Sequence, residues 1–168
     1  MNARLAVILC GALLLLAALF RSAAAQWESV GGPGACRVRA IAARGDHVFA
    51  GTDFGIFVSP DNGVTWAPGG AVDSVALGRA SISGFLVGGS DLFAFTDQGV
   101  FRSTDNAASW TSASSGLPEG AAVSCMLESD LVLYCGLGGG GLYRSTDRGW
   151  QWMQTGAGLP DKEKITGL

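Results

Sequence analysis

SPDNGVTW, Ser59 to Trp66, is followed by STDNAASW, Ser103 to Trp110, and by STDRGWQW, Ser145 to Trp152. The first serines lie 44 and 42 residues apart. Self-similarity at that period marks a propeller or a solenoid. The text upstream of each copy decides between them. Directly before each motif stands a short run: GIFVS (55–59), GVFRS (99–103) and GLYRS (141–145). Before that come HVFAGT (47–52), DLFAFT (91–96) and LVLYCG (131–136), and before those Val38–Ala43, Ile82–Val87 and Val123–Glu128. A fourth run contains the motif tryptophan, Trp66, Trp110 or Trp152. Val, Ile, Phe and Tyr fill these runs and Gly, Asp, Asn and Ser separate them, which reads as strands and tight turns. No segment sustains a helical period with caps.

Four short strands per repeat, joined by tight turns, make one blade of a β-propeller, an all-β fold. The blades are expected at about 37–68, 80–112 and 121–155. Strands are named A to D from the axis outward. The A–B hairpin turns fall near Gly45-Asp46, Gly88–Ser90 and Ser129-Asp130. Gly-Leu-Pro at 116–118 and 158–160 closes two repeats, and Pro68-Gly69-Gly70 takes that place in the first. Trp27 with Gly31-Gly32-Pro33 reads as a stray N-terminal outer strand, and Ile165–Leu168 as the start of another strand A. Three complete blades plus that strand fall short of a ring of roughly four to eight blades. The expectation is an incomplete ring, most simply a fragment of a longer product, with an open array or an assembly of several chains as the alternative. An open arc exposes edge strands and two apolar blade faces.

Residues 1–25 read as a secretory signal peptide. Arg4 precedes an apolar run of 16 residues, Leu5–Phe20, and Ala23-Ala24-Ala25 offers small residues for cleavage before Gln26. An uncleaved anchor is the alternative, but the run is shorter than the ~20 residues a span requires. Cleavage leaves a propeller segment, 26–168, that is secreted, either extracellular or periplasmic. It loses Arg4 and Arg21, so nine Lys or Arg remain against fourteen Asp or Glu, a net of about −5. Mild, well-mixed acidity argues against nucleic acid and against an anionic membrane surface, and no second long apolar segment follows. The remaining cysteines are Cys36, Cys125 and Cys135, an odd number with no His nearby, so no metal site is indicated. Cys125 and Cys135 lie about equally on either side of Ser129-Asp130, nearly opposite across a hairpin. They are candidates for a disulfide, two buried thiols being the alternative.

The motif, Ser/Thr-x-Asp-x-Gly-x-Thr-Trp, suits a tight C–D turn. Ser59, Ser103 and Ser145 and the carboxylates Asp61, Asp105 and Asp147 can hold backbone N–H groups, and Gly63 and Gly149 can take a positive φ. Trp66, Trp110 and Trp152 then fold back as apolar plugs. A calcium reading of Asp61-Asn62-Gly63 lacks the flanking carboxylates that 6 to 8 oxygen ligands demand. On these residues the chain resembles the Asp-box (bacterial neuraminidase repeat) propellers, over nearly all of Trp27–Pro160. GLYRSTDRG and the following Gly-Leu-Pro look most like secreted sortilin-like or photosystem II assembly factor-like repeats. Ala107 replaces the box glycine in blade two, Gln151 replaces Thr in blade three, and Trp150 is added beside Trp152. The resemblance implies that the boxes sit at the blade periphery, away from any active site, and serve structure.

Alternating strands put the A–B and C–D turns on one face and the B–C and D–A turns on the other. The second face carries Asp53-Phe54, Asp97-Gln98 and Gly138–Gly141, with Arg37, Glu119 and Asp161 in the connectors. The resemblance implies that ligands engage this face. Asp53, Phe54, Asp97 and Gln98 are the candidate binding residues for a glycan or a cation, the plainer reading being that both carboxylates terminate turns. A sialidase needs clustered arginines, a Tyr–Glu pair and an acid. Arg102 and Arg144 read as blade-surface residues, Tyr134 and Tyr143 as core and His47 as surface, and no catalytic set or cofactor is indicated. The expected function is a binding or assembly scaffold for protein or glycan. The alternative is an N-terminal fragment of a secreted glycoside hydrolase, sialidase-like or xyloglucanase-like, with its catalytic residues outside this chain.

Overall fold

The computed structural model describes residues 36–70 and 80–157. The predicted signal peptide, the stray strand at Trp27, the second Gly-Leu-Pro and the chain's last residues lie outside them. Among the described residues there are twelve strands and no helix, in three four-stranded antiparallel sheets, each in simple sequence order. Blade 1 is β1 (Val38–Arg44), β2 (His47–Thr52), β3 (Gly55–Ser59) and β4 (Ala67–Pro68). Blade 2 is β5 (Ile82–Gly88), β6 (Asp91–Thr96), β7 (Gly99–Ser103) and β8 (Thr111–Ser112). Blade 3 is β9 (Val123–Ser129), β10 (Val132–Leu137), β11 (Leu142–Ser145) and β12 (Met153–Thr155). Strand A of each blade lies beside strand A of the next, β1 against β5 and β5 against β9.

Directly opposed residues in a ladder share a face, so the register defines two faces per blade. One trio is Ala42–Phe49–Val58 in blade 1, Leu86–Phe93–Arg102 in blade 2 and Leu127–Tyr134–Arg144 in blade 3. This is the trailing face, turned toward the next blade. The other trio is Ile41–Ala50–Phe57, Phe85–Ala94–Phe101 and Met126–Cys135–Tyr143. This is the leading face, turned toward the preceding blade. Phe49 and Ile56 of blade 1 pack with Leu92, Phe101 and Trp110 of blade 2 in one core. Phe93, Phe95 and Val100 of blade 2 pack with Leu133, Cys135 and Trp152 of blade 3 in another. The hydrophobic core therefore lies between blades, not within them. Close approach needs glycine in places: a Cβ on Gly51 would meet Ile82 at 2.5 Å, and one on Gly70 would meet the Ala108 carbonyl at 1.5 Å.

Two expectations shift. The box tryptophans precede strand D instead of lying in it, and the Trp110 and Trp152 indoles turn into the junctions. In blade 3 the hairpin turns at Asp130-Leu131, with φ of 50° and 66°, one residue later than the sequence suggests. That step places Cys125 opposite Gly136 and Cys135 opposite Met126. The two cysteines are thus on opposite faces of the hairpin and not the direct cross-strand pair that the spacing implies. Burial, and secondarily Cys125, pushes the Cys135 thiol up to about 12.

Candidate functional site

The three boxes share one geometry. In blade 1 the Ser59 hydroxyl donates to Asp61 Oδ1 (2.7 Å) and accepts the Gly63 N–H (2.7 Å). Asp61 then accepts the Thr65 N–H (2.8 Å) and the Thr65 hydroxyl (2.6 Å). Blade 2 repeats this with Ser103, Asp105, Ala107 and Ser109, and blade 3 with Ser145, Asp147, Gly149 and the Gln151 N–H. The Thr65 hydroxyl, ahead of the other bonds, lowers the Asp61 carboxyl to about 2. At Asp105 burial opposes ionisation, but the Ser109 and Ser103 bonds outweigh it, and its carboxyl also lies low. The Gln151 N–H and then the Ser145 hydroxyl lower Asp147. Asp61 and Asp105 have both oxygens committed to the turn, and Asp147 has its Oδ1. Each turn also carries two consecutive positive φ values, at Asn62-Gly63, Asn106-Ala107 and Arg148-Gly149. Ala107, at φ 65°, holds a glycine's conformation at a cost on the order of 1 kcal/mol.

The boxes also join blades. Trp110 and Trp152 are each only 1% exposed, and each plugs the junction with the preceding blade. Trp152 Nε1 donates across it to the Ala113 carbonyl (2.7 Å), and the Trp152 N–H donates to the Ser115 carbonyl (2.8 Å). Arg148, the residue before the box glycine, reaches back to Asp91 (2.9 Å), to the Gly88 carbonyl (2.6 Å) and to Glu128 of its own blade (2.6 Å). Arg102 is a second partner of Asp91 (3.1 Å) and lies beside the Trp150 ring. Burial opposes ionisation of Asp91, yet hydrogen bonds and charge from Arg148 and Arg102 hold its carboxyl below the usual range. Arg102 is therefore a junction residue and not the surface residue its place in the repeat suggests, whereas Arg144 is exposed. Nothing in the sequence ties Asp91, Arg102, Glu128 and Arg148 together, since they lie on different strands of two blades.

On the opposite face the carboxylates have turn duties. Asp97 accepts the Ser81 N–H (3.0 Å), and Asp53 pairs with Arg39. The turns themselves hang on buried threonines. Thr52 Oγ1 donates to the Gly55 carbonyl (2.9 Å) and accepts the Phe54 N–H (3.0 Å), and Thr96 does the same with Gly99 and Gln98. Their equal places in the repeat are the signal that identifies them. What this face offers outward is Phe54, 72% exposed and next in sequence to the Asp53 that pairs with Arg39, and the exposed Gln98. His47 is half-buried and stacks on Phe49 (centroids 6.4 Å apart), and both tyrosines are half-buried. Among the described residues, no group of three or more His, Cys, Asp or Glu side chains is placed to hold a metal ion. No helix among them is long and apolar enough to cross a membrane.

Repeated four-stranded sheets packed face to face through one set of positions define an all-β propeller. Solved structures agree. The chain is similar to YCF48 from Cyanidioschyzon merolae, with a TM-score of 0.59 and 18% identity over 76% of this chain and 39% of that one. It is similar to an ancestral GH74 enzyme, with a TM-score of 0.62 and 17% identity over 76% of this chain and 21% of that one. A third likeness is to the extracellular domain of BT4673 from B. thetaiotaomicron, at a TM-score of 0.64 and 16% identity, over 82% of this chain and 18% of that one. The chain thus spans well under half the length of each of these proteins. No protein-family model matches it, and no curated protein does.

Proposed function

We propose that this chain is a segment of a secreted Asp-box β-propeller that acts as a binding or assembly scaffold for a protein or glycan. Ligands engage the face opposite the boxes, through Phe54 and Gln98, with Asp53 and Asp97 shaping the turns that present them. The observation that carries this reading is the division of labour between the faces. Each box carboxylate is engaged by its own turn, while the opposite face presents a large apolar ring, Phe54, to solvent. An exposed aromatic beside a charged pair is suited to stacking on a sugar or on a peptide side chain. YCF48, one of the similar structures, is also known bound to D1 peptide, which makes a peptide a reasonable first ligand to try. The signal at 1–25 and cleavage before Gln26 complete the reading, and the N-terminal sequence of the exported product tests that part.

The test is binding of the purified chain to a glycan array and to a peptide library. Phe54→Ala should abolish or strongly weaken a hit, and Asp147→Asn should leave it unchanged in a chain that stays folded. The likeness to a GH74 enzyme favours one second reading, an N-terminal fragment of a glycoside hydrolase with its catalytic groups elsewhere. Turnover of a fluorogenic glycoside by the full-length product, lost on a single carboxylate change, would establish that reading over the scaffold.

A further inference from the structure

The two internal junctions use one set of positions, and the same set recurs unfilled at both ends of the three described blades. On leading faces, Phe85–Ala94–Phe101 and Met126–Cys135–Tyr143 are packed against the preceding blade, and Trp110 and Trp152 seal the seam. Of their blade 1 equivalents Ala50 is buried, but no blade among the described residues covers Ile41 and Trp66. Ile41 is 68% exposed, where Phe85 and Met126 are half-buried, and Trp66 is half-exposed, where Trp110 and Trp152 are buried. Trp66 turns its Nε1 to the Gly63 carbonyl of its own box (2.9 Å), where Trp152 reaches across a junction. On trailing faces, Phe49 and Phe93 are fully buried by the following blade, whereas Tyr134 at the same position in blade 3 is half-exposed between Leu127 and Arg144. One end therefore presents a leading face and the other a trailing face, the two halves of a junction the fold has already made twice.

We propose that in the 168-residue chain these two surfaces meet between two copies, the leading face of blade 1 of each docking on the trailing face of blade 3 of the other. Such a contact is heterologous, so it either closes into a ring or propagates as a filament. Blade number selects closure at two copies. The described residues of one copy supply three blades, fewer than the roughly four that a ring requires. Two copies supply about six, inside the natural range of roughly four to eight, and three copies would exceed it. The occupant is thus a second copy, placed by continuity with the internal junctions. In a longer product, further blades of the same repeat would fill the same faces. This inference rests on the fold alone and is independent of the ligand reading.

The experiment is light scattering on the purified 168-residue product across a concentration series. The expected result is a species of twice the single-chain mass. Ile41→Asp and Tyr134→Asp should each reduce it to one chain with an unchanged β-sheet circular dichroism spectrum. Phe57→Asp and Arg144→Asp, at other positions of the same two trios, stand in should either variant fail to fold. Mixing the leading-face variant with the trailing-face variant should restore a two-copy species, because one intact junction remains between them. Three results would overturn the proposal: a single-chain mass for the wild type at high concentration, an unending ladder of larger species, or a trailing-face variant that still pairs with itself.

Discussion

The junction between blades 1 and 2 and the junction between blades 2 and 3 occupy the same frame and are fastened differently. At the second, Trp152 Nε1 has the Ala113 carbonyl, and a charged network of Asp91, Arg102, Arg148 and Glu128 crosses the seam. At the first, Trp110 is as deeply buried, but its Nε1 has no hydrogen-bond partner among the described residues. The position of Arg148 is held there by Asn106, which accepts from Arg44, while Arg44 Nη1 donates to the Ser90 carbonyl (2.6 Å). The repeat thus specifies where a blade meets its neighbour. The individual side chains specify how firmly, and the second junction is the more polar and the more specifically tied.

The largest way to break this difference is at Asp91. Its side chain is nearly buried between two arginines, so Asp91→Asn should cost about 2–3 kcal/mol, at or below the low end for breaking a buried pair, because both arginines keep some solvent. Denaturant unfolding measures it. Arg44→Ala at the first junction should cost about 1 kcal/mol, the loss of ordinary hydrogen bonds, by the same assay. Acid provides a third comparison. Asp61, Asp91, Asp105 and Asp147 all have folded carboxyls below the ordinary value of 3.8, Asp61 at about 2. The unfolded chain therefore takes up protons first, and the stability these groups confer is complete above about pH 4 and lost as pH falls toward 2. The thermal midpoint should drop across that window, and less steeply in Asp91→Asn. The smallest effect is expected at Gln151→Thr. It restores the hydroxyl bond that Thr65 makes to Asp61, and it gives up the Gln151 contact with the Ser115 hydroxyl (3.0 Å). The net change should stay within about 0.5 kcal/mol by denaturant unfolding.

Most of the fold was legible because the three boxes set a common phase. Strand order, the two sets of turns and the positive φ at Ala107 all follow from aligning one repeat on the next. Legibility failed where repeats differ in length. Leu137 to Gly141 spans one residue more than Thr52 to Gly55, and the blade 3 hairpin turns one residue later than the spacing predicts, which moves both cysteines out of direct opposition. The candidate face was legible only as a location. Asp53 and Asp97 share a place in the repeat, yet their duties to Arg39 and to the Ser81 N–H depend on a neighbouring strand that no local motif encodes. The network around Asp91 was hidden for the same reason, since its members are brought together only by the packing of two blades.

The central claim is that the box tryptophans are junction plugs whose worth is set by what each meets across the seam. Trp152→Phe and Trp110→Phe, compared by equilibrium unfolding, test it most directly. Both keep an aromatic plug, but only the first removes a cross-blade hydrogen bond and strands the Ala113 carbonyl. Trp152→Phe should be the more destabilising by about 1–2 kcal/mol. Equal losses, or a larger loss at Trp110, would contradict the account.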